Sequence, residues 1–285
     1  MSNYKNTKWA NQILELQKED GGWGYFHTLS NPTSSKSLTT EQALRRLRIL
    51  GFRIEDEPIQ KSVEYMHDCL SGKIEFPDRR EKLVDFDVFK NMMLAAWIRR
   101  FTYEDRLAND VAEQWLNIIS EAFKYGEYNH STYVKTYEKC FSMPPKGGRL
   151  VDFVSFYQVS LLSRGLNEEI ESMVMNYILN NEKGIYYVFS KALKALPQEF
   201  QSKEVSFYLG AIELLAEYSS SKSKDQLTFV KEWLIENQLK DGGWDMGIKA
   251  KNNIHLPLSD SWHNADTRKE DCTYRVKKLL DALKK

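Results

Sequence analysis

Four acidic residues stand near the start of apolar segments, and each precedes an aromatic residue by three or four positions. The pairs are Asp85–Phe89, Asp152–Phe156, Glu204–Tyr208 and Asp271–Tyr274. In an α-helix this spacing puts the acid and the ring on one face. Such an acid could donate a proton to a substrate whose developing cation is stabilised by the π faces of the rings. The alternative is that the acids cap helix N-termini and the rings belong to the core.

Two of these acids have a feature of their own. Asp85 is followed two residues on by Asp87, and two neighbouring carboxylates can share a proton. Asp271 begins the sequence Asp271-Cys-Thr273, which is discussed below. We therefore take Asp271, Asp85 and Asp87 as candidate proton donors. The candidate ligand-contacting residues are Phe89, Asp152, Phe156, Tyr157, Tyr208, Tyr274 and Trp262.

Helices are predicted to position all of these residues. Apolar residues recur at three- and four-residue spacing along most of the chain, and only Ile185-Tyr-Tyr-Val188 suggests an extended piece. Amphipathic helices are predicted over about 3–17, 57–70, 105–124, 167–180 and 224–238. They alternate with more apolar helices over about 38–50, 85–101, 150–165, 203–218 and 270–284. The pattern predicts an all-α fold, either a closed double ring with the apolar helices inside or an open solenoid.

Two segments at the ends of amphipathic helices are near copies of each other. They read Gln17-Lys-Glu-Asp-Gly-Gly-Trp23 and Gln238-Leu-Lys-Asp-Gly-Gly-Trp244. A glycine just after a helix can adopt the left-handed conformation that ends it, and the aspartate before it favours a turn. We expect the tryptophan to fold back onto the helix end and the glutamine amide to cap carbonyls or stack on the indole. The role predicted for both segments is therefore structural.

These segments resemble the Gln–Trp repeats of the terpenoid cyclase and protein prenyltransferase superfamily, which includes the squalene–hopene cyclases. The resemblance implies an α/α toroid formed by residues 1–285 as a single domain, with inner helices around an apolar cavity. It implies an apolar ligand, such as an isoprenoid, in that cavity. An enzyme of this kind would start cyclisation with an acid; a non-enzymatic binding or protein-interaction module on the same toroid is the alternative. A carbohydrate-active α/α barrel is a third possibility, which would need paired carboxylates in an open cleft.

Departures from the family patterns bear on the chemistry. Asp271-Cys-Thr273 resembles the Asp-Cys-Thr-Ala-Glu segment of oxidosqualene cyclases, whose aspartate protonates the epoxide. Here Tyr274-Arg275 replaces Ala-Glu, and we expect Arg275 to hold Asp271 ionised. The helix around Asp152 resembles the one that supplies zinc ligands in prenyltransferase β subunits, but Val154 stands where a thiolate is needed. No metal and no other cofactor is predicted.

The composition of the chain argues against several classes of partner. The chain has 285 residues with 40 basic and 40 acidic side chains, so no net charge favours nucleic acid or anionic lipid. No apolar stretch is long enough to span a bilayer, and no signal segment is evident. Three unpaired, widely spaced cysteines fit a reducing cytoplasm. The long segment 252–270, which holds Trp262, is expected to be either a ligand loop or a strap that covers the helices.

Overall fold

The computed structural model describes residues 4–27, 38–80 and 85–284, and in these ranges the protein is helical. The all-α prediction is confirmed. None of the described helices is both long and apolar enough to cross a membrane. The α-helices are α1 (Lys8–Leu14), α2 (Thr40–Ile49), α3 (Glu57–Ser71), α4 (Phe86–Arg99), α5 (Arg106–Ala122), α6 (His130–Phe141), α7 (Gly148–Val151), α8 (Phe156–Leu162), α9 (Glu168–Leu179), α10 (Lys203–Leu215), α11 (Ser221–Asp225), α12 (Thr228–Glu236) and α13 (Ala265–Lys284).

The chain divides into two compact units. The first comprises Met1–Ala112 with Leu258–Asp260, and the second comprises Glu113–Pro257 with Ser261–Lys285. In the first unit α4 packs against α3, and every side chain of α4 from Met92 to Arg99 is buried. In the second unit α10 packs against α8, α11 against α9 and α12 against α13. The closed ring and the single domain stay predictions.

Most predicted helices exist close to the expected positions because local capping agrees with the apolar period. The side chain of Thr39 accepts a hydrogen bond from Gln42 N, and the Gln42 side chain accepts one from Thr39 N, which forms a capping box at the start of α2. Asn167 and Ser202 cap α9 and α10 in the same way, each accepting from a backbone N–H three residues on. These caps lie within about three residues of the predicted starts.

Several elements differ from the prediction. The predicted helix 150–165 is interrupted between α7 and α8, where Val154 and Phe156 form backbone hydrogen bonds with Tyr186, and the predicted helix 224–238 is divided into α11 and α12. Helix α6 was not expected; Asn129 caps it, and Tyr133 and Tyr137 anchor it at four-residue spacing. Helix α13 begins at Ala265 and not near 270, because Asn264 accepts a hydrogen bond from Thr267 N at 3.0 Å. The predicted extended segment 185–188 forms isolated bridges, which pair Ser155 with Tyr186 and Ile185 with Phe189.

The first Gln–Trp segment closes the end of α1. The Gln17 amide donates to the carbonyl of Gly21 at 3.0 Å, and the indole N–H of Trp23 donates to the carbonyl of Ile13 at 2.7 Å. The backbone N–H of Trp23 donates to Thr40 Oγ1 at 2.9 Å, at the start of α2. The segment thus ends one helix and attaches the turn to the next one.

The second segment repeats the same bonds at the end of α12. Gln238 donates to the carbonyl of Gly242 at 2.8 Å, and the Trp244 indole donates to the carbonyl of Leu234 at 2.6 Å. The backbone N–H of Trp244 donates to Thr273 Oγ1 at 2.9 Å, on α13. The predicted structural role of both segments, with the indole folded back and the glutamine as a cap, is confirmed.

The two turns differ in the space around their first glycine. Gly21 and Gly242 both have positive φ, +90° and +81°. A Cβ on Gly21 would lie 2.4 Å from the carbonyl oxygen of Lys61, whereas a Cβ on Gly242 would meet nothing closer than Gln238 Nε2 at 3.8 Å. The backbone conformation disfavours a side chain at both positions, and close backbone packing excludes it only at Gly21.

We expect Gly242→Ala to lower the free energy of unfolding by about 1–2 kcal/mol, which is the strain of a left-handed alanine. Gly21→Ala adds an overpacking clash and should lower it by about 3 kcal/mol or more. Denaturant unfolding of the two variants, followed by tryptophan fluorescence, measures the difference. Equal losses in the two variants would show that the contact with Lys61 does not constrain the first turn.

Candidate functional site

Asp85 and Asp87, the predicted carboxylate pair, lie at the start of α4 in the first unit. The Asp85 carboxylate accepts hydrogen bonds from the backbone N–H groups of Asp87 and Val88 at 3.1 and 3.2 Å, so it caps the helix. Asp87 is exposed and lies 3.5 Å from Arg80 and 3.7 Å from Lys90. Asp85 therefore stabilises the helix start, whereas Asp87 takes part only in exposed ion pairs.

Asp271 lies in the second turn of α13, and its side chain is 1% exposed. The expectation that it begins the last helix is wrong, because the helix starts six residues earlier. The Arg275 guanidinium, which was expected to hold Asp271 ionised, donates two hydrogen bonds to Glu213, at 2.6 and 3.0 Å, and two to Ser206, both at 2.9 Å.

The predicted rings are packed inside the protein. Phe89 is 1% exposed, Tyr157 and Tyr208 have no exposed surface, and Phe156 is buried. The hydroxyl of Tyr208 donates to the carbonyl of Leu193 at 3.0 Å. A side chain without accessible surface borders no space that a water molecule could enter. In this structure the rings therefore contribute to the core.

The chain segment 184–189 joins two of these rings. Tyr187 meets the ring of Tyr157 edge-on at 5.8 Å, and Phe189 meets the ring of Tyr208 edge-on at 5.6 Å. The backbone carbonyl of Tyr186 accepts a hydrogen bond from the backbone N–H of Phe156 at 3.0 Å. The structure thus brings predicted rings of α8 and α10 into contact with the same loop.

The remaining predicted residues have separate roles. The half-buried Asp152 accepts a hydrogen bond from Val154 N at 3.1 Å. Burial raises the pKa of the Tyr177 phenol, and the negative charge of Asp152 raises it further. Tyr274 is half-buried on α13. Trp262 is buried, and its indole donates to the carbonyl of Ile248 at 2.9 Å, so it fits the covering-strap alternative for its segment.

The sequence analysis missed a buried polar network in the second unit. Besides the bonds from Arg275, Ser206 Oγ accepts a hydrogen bond from the Asn252 amide at 2.9 Å. His255 is buried against α10, where a Cβ on Gly210 would lie 2.5 Å from its Nε2. The one sequence signal was Gly210 itself, since a glycine inside an apolar helix usually marks a close approach.

A buried carboxylate in the first unit was also missed. Glu41 is 2% exposed in the first turn of α2. It accepts from the Trp97 indole at 3.4 Å and lies 3.3 Å from the Arg45 guanidinium. No local acid–ring spacing marks this residue, because its aromatic partner lies 56 positions along the chain.

An open groove of about 470 Å³ lies beside α9 in the second unit. Gln226, at the end of α11, forms part of its wall and donates to the carbonyl and hydroxyl oxygens of Ser172, both at 3.0 Å. The side chains that line the groove are Ser172, Met173, Asn176, Leu179, Lys194 and Gln226. This volume falls within the range of about 300–1,000 Å³ that ligand sites occupy.

Two of the three cysteines are buried, Cys69 and Cys272. Burial raises the pKa of the Cys69 thiol to about 11 and that of the Cys272 thiol to about 12, so neither is a ready nucleophile. Within the described ranges no three His, Cys, Asp or Glu side chains come together in a way that could hold a metal ion.

Comparisons of the chain with protein-family models, with curated proteins and with solved structures found no match. The resemblance to the terpenoid cyclase superfamily therefore depends on the two Gln–Trp turns and the helix alternation.

Two ion pairs attach the second turn to α13. Arg268 contacts both carboxylate oxygens of Asp245 at 2.9 and 2.7 Å, and Lys269 lies 2.5 Å from Asp241. Partial burial acts to raise the pKa of the Asp245 carboxyl. The hydrogen bonds from Arg268 and from Gly247 N outweigh this effect and hold the pKa below its ordinary value of 3.8.

The pKa of Asp245 is lower in the folded state than in the unfolded state. The contribution of this carboxylate to the free energy of unfolding is therefore fully present above the unfolded-state pKa, and it is lost as the pH falls through the folded-state pKa. Asp245→Asn should therefore lower the free energy of unfolding by about 1 kcal/mol at neutral pH, and this loss should vanish in strong acid. Urea unfolding of wild type and variant over a range of pH measures it. Asp225→Asn is the control, since Asp225 is exposed at the end of α11. A loss that stays constant down to strong acid would contradict the ion-pair interpretation.

Proposed function

We propose that this protein is a binding module for a small molecule with an apolar body, and not a catalyst. The observation that carries the proposal is the use of the candidate acids. Asp85 caps a helix, Asp87 lies in exposed ion pairs, Asp152 accepts a nearby N–H, and Glu204 lies 2.7 Å from Lys191. A general acid has to reach the group that it protonates. Carboxylates that are engaged in caps, backbone hydrogen bonds and ion pairs are poorly placed to do so.

The shape that we propose is the α/α toroid of the terpenoid cyclase and protein prenyltransferase superfamily, formed by the whole chain as one domain. The paired bonds of Trp23 and Trp244 support this proposal, because the same turn recurs near both ends of the chain. Fold similarity alone does not carry an activity, so the isoprenoid ligand is proposed from the resemblance.

A second candidate is acid-initiated isoprenoid cyclisation. Asp271 favours it, because a carboxyl that is 1% exposed is well removed from water. For this activity the side chain would have to meet a substrate, so a movement of the packing around α13 would be required. The two candidates differ in one respect that can be measured, which is turnover that depends on Asp271.

The test is to measure binding and turnover on one preparation of the full chain. We expect geraniol or farnesol to raise the melting temperature by about 2–4 °C near saturation, since a ligand that binds only the folded state stabilises it. Gas chromatography should recover geraniol, farnesol, squalene and oxidosqualene unchanged.

Cyclised products that disappear in Asp271→Asn but remain in Asp281→Asn would overturn the proposal in favour of the second candidate. Asp281 is the control because it is exposed on the same helix, 3.1 Å from Lys284. No change in melting temperature with any of the apolar probes would also count against the proposal.

A further inference from the structure

We infer that the groove beside α9 binds a monocarboxylate with a short apolar body. This inference rests on the proposed function as a binding module and adds the place and the chemical class of the ligand. It is carried by the polar groups that the groove leaves available, by the half-buried apolar side chain of Met173 and by the size of the groove.

The groove is built by tertiary contacts and not by a loose surface segment. Besides the bonds from Gln226 to Ser172, the buried carboxylate of Glu171 accepts from Ser220 N at 2.8 Å. Both contacts attach α11 to α9. The wall of the groove is therefore held in place without a ligand, which limits the loss of entropy on binding.

Two donors are available to an anion in the groove. The carbonyl and side-chain oxygens of Asn176 accept from the Asn180 amide at 2.7 and 2.9 Å, so the amide N–H groups of Asn176 remain as donors. Lys194 is exposed and forms no ion pair with any residue that the structure describes. By contrast, Lys191 on the same segment lies 2.7 Å from Glu204.

The charge in the groove matches one negative charge. Lys194 is the single charged side chain among the six that line it, and none of the six is acidic. A diphosphate would bring two or more negative charges to one lysine, whereas a carboxylate accepts from an ammonium and an amide together. The half-buried Met173 supplies the apolar surface that would contact the rest of the ligand, and the buried Leu179 packs beneath it.

Size sets the length of the apolar body. A water molecule takes about 30 Å³ in the liquid, so the groove has the volume of roughly 15 waters. We therefore take a straight-chain carboxylate of about ten non-hydrogen atoms as the probe, namely octanoate. A ligand of this size is expected to bind with a dissociation constant in the millimolar range.

The experiment is a titration of the full chain, labelled with [methyl-¹³C]methionine, with octanoate. The Met173 signal is assigned as the one that is lost in Met173→Leu. We expect a saturable shift of the Met173 signal with octanoate, a several-fold weaker response to octanol, and none to octyltrimethylammonium. These two probes share the apolar chain and differ in charge.

Variants test the two parts of the site. Lys194→Glu should weaken octanoate binding about tenfold and leave octanol binding unchanged. The control Lys191→Ala should change the dissociation constant of octanoate or of octanol by less than about twofold. Asn176→Trp should abolish binding of both, because the bulky side chain would fill the groove from an exposed position. The remaining methionine signals report whether each variant is folded.

Three results would overturn the inference. They are a Met173 signal that octanoate does not move, an equal response to octanoate and octanol, and binding that Lys194→Glu leaves unchanged. Its failure can be distinguished from that of the proposed function. If octanoate binds here while the chain also cyclises isoprenoids through Asp271, the site stands and the non-catalytic proposal fails. If apolar probes stabilise the chain while octanoate leaves Met173 unmoved, the proposal stands and this site fails.

Discussion

The hydrogen bond from a tryptophan indole to a carbonyl ten residues earlier is the constraint from which much of this structure follows. It occurs twice, from Trp23 to Ile13 and from Trp244 to Leu234, and in each case it satisfies a carbonyl near a helix end. The tryptophan can reach back only because a glycine two residues before it, Gly21 or Gly242, adopts a positive φ and allows a sharp turn. The same turn presents the tryptophan N–H to a threonine of the next packed helix, so one motif ends a helix and positions its neighbour.

The same need to satisfy groups at helix ends explains the positions of several acidic residues. In a helical protein with many helix starts, carboxylates are needed as caps and as ion-pair partners, and Asp85 and Asp245 have these roles here. The aromatic side chains that could stabilise a cation, such as Tyr208, are held by the protein's own groups. An acid next to a ring is thus compatible with helix capping and core packing. Asp271 differs from these acids because its side chain is 1% exposed, and it is the residue that keeps acid-initiated cyclisation as an alternative.

Local patterns predicted the fold well where the determining interactions are local. The three- and four-residue spacing of apolar residues placed α3, α9 and α10 within a few residues, and the repeated Gln–Trp sequence predicted both turns. Helix α6 was missed because its buried face is made of tyrosines, Tyr133 and Tyr137, which also occur in loops. The start of α13 was missed because its cap, Asn264, lies in a stretch without apolar period.

The candidate site was less predictable because its contacts are distant in sequence. A spacing of one helical turn suggested Asp271 as a partner of Arg275, but it could not indicate the hydrogen bonds to Glu213, 62 residues away. Glu41 is buried next to Trp97, which no spacing rule could have indicated. The groove beside α9 depends on Lys194 and Gln226, two polar residues from separate segments that only the tertiary structure brings together.

The most direct measurement of the claim that the helix-start acids serve structure is the free energy of unfolding of Asp85→Ala, compared with Asp87→Ala. We expect Asp85→Ala to lower it by about 1 kcal/mol through loss of the cap, and Asp87→Ala to leave it nearly unchanged, because Asp87 is exposed. Residues kept for catalysis are often held at a loss of stability, and their removal then stabilises the fold. A rise in the free energy of unfolding for Asp85→Ala would therefore contradict the structural role.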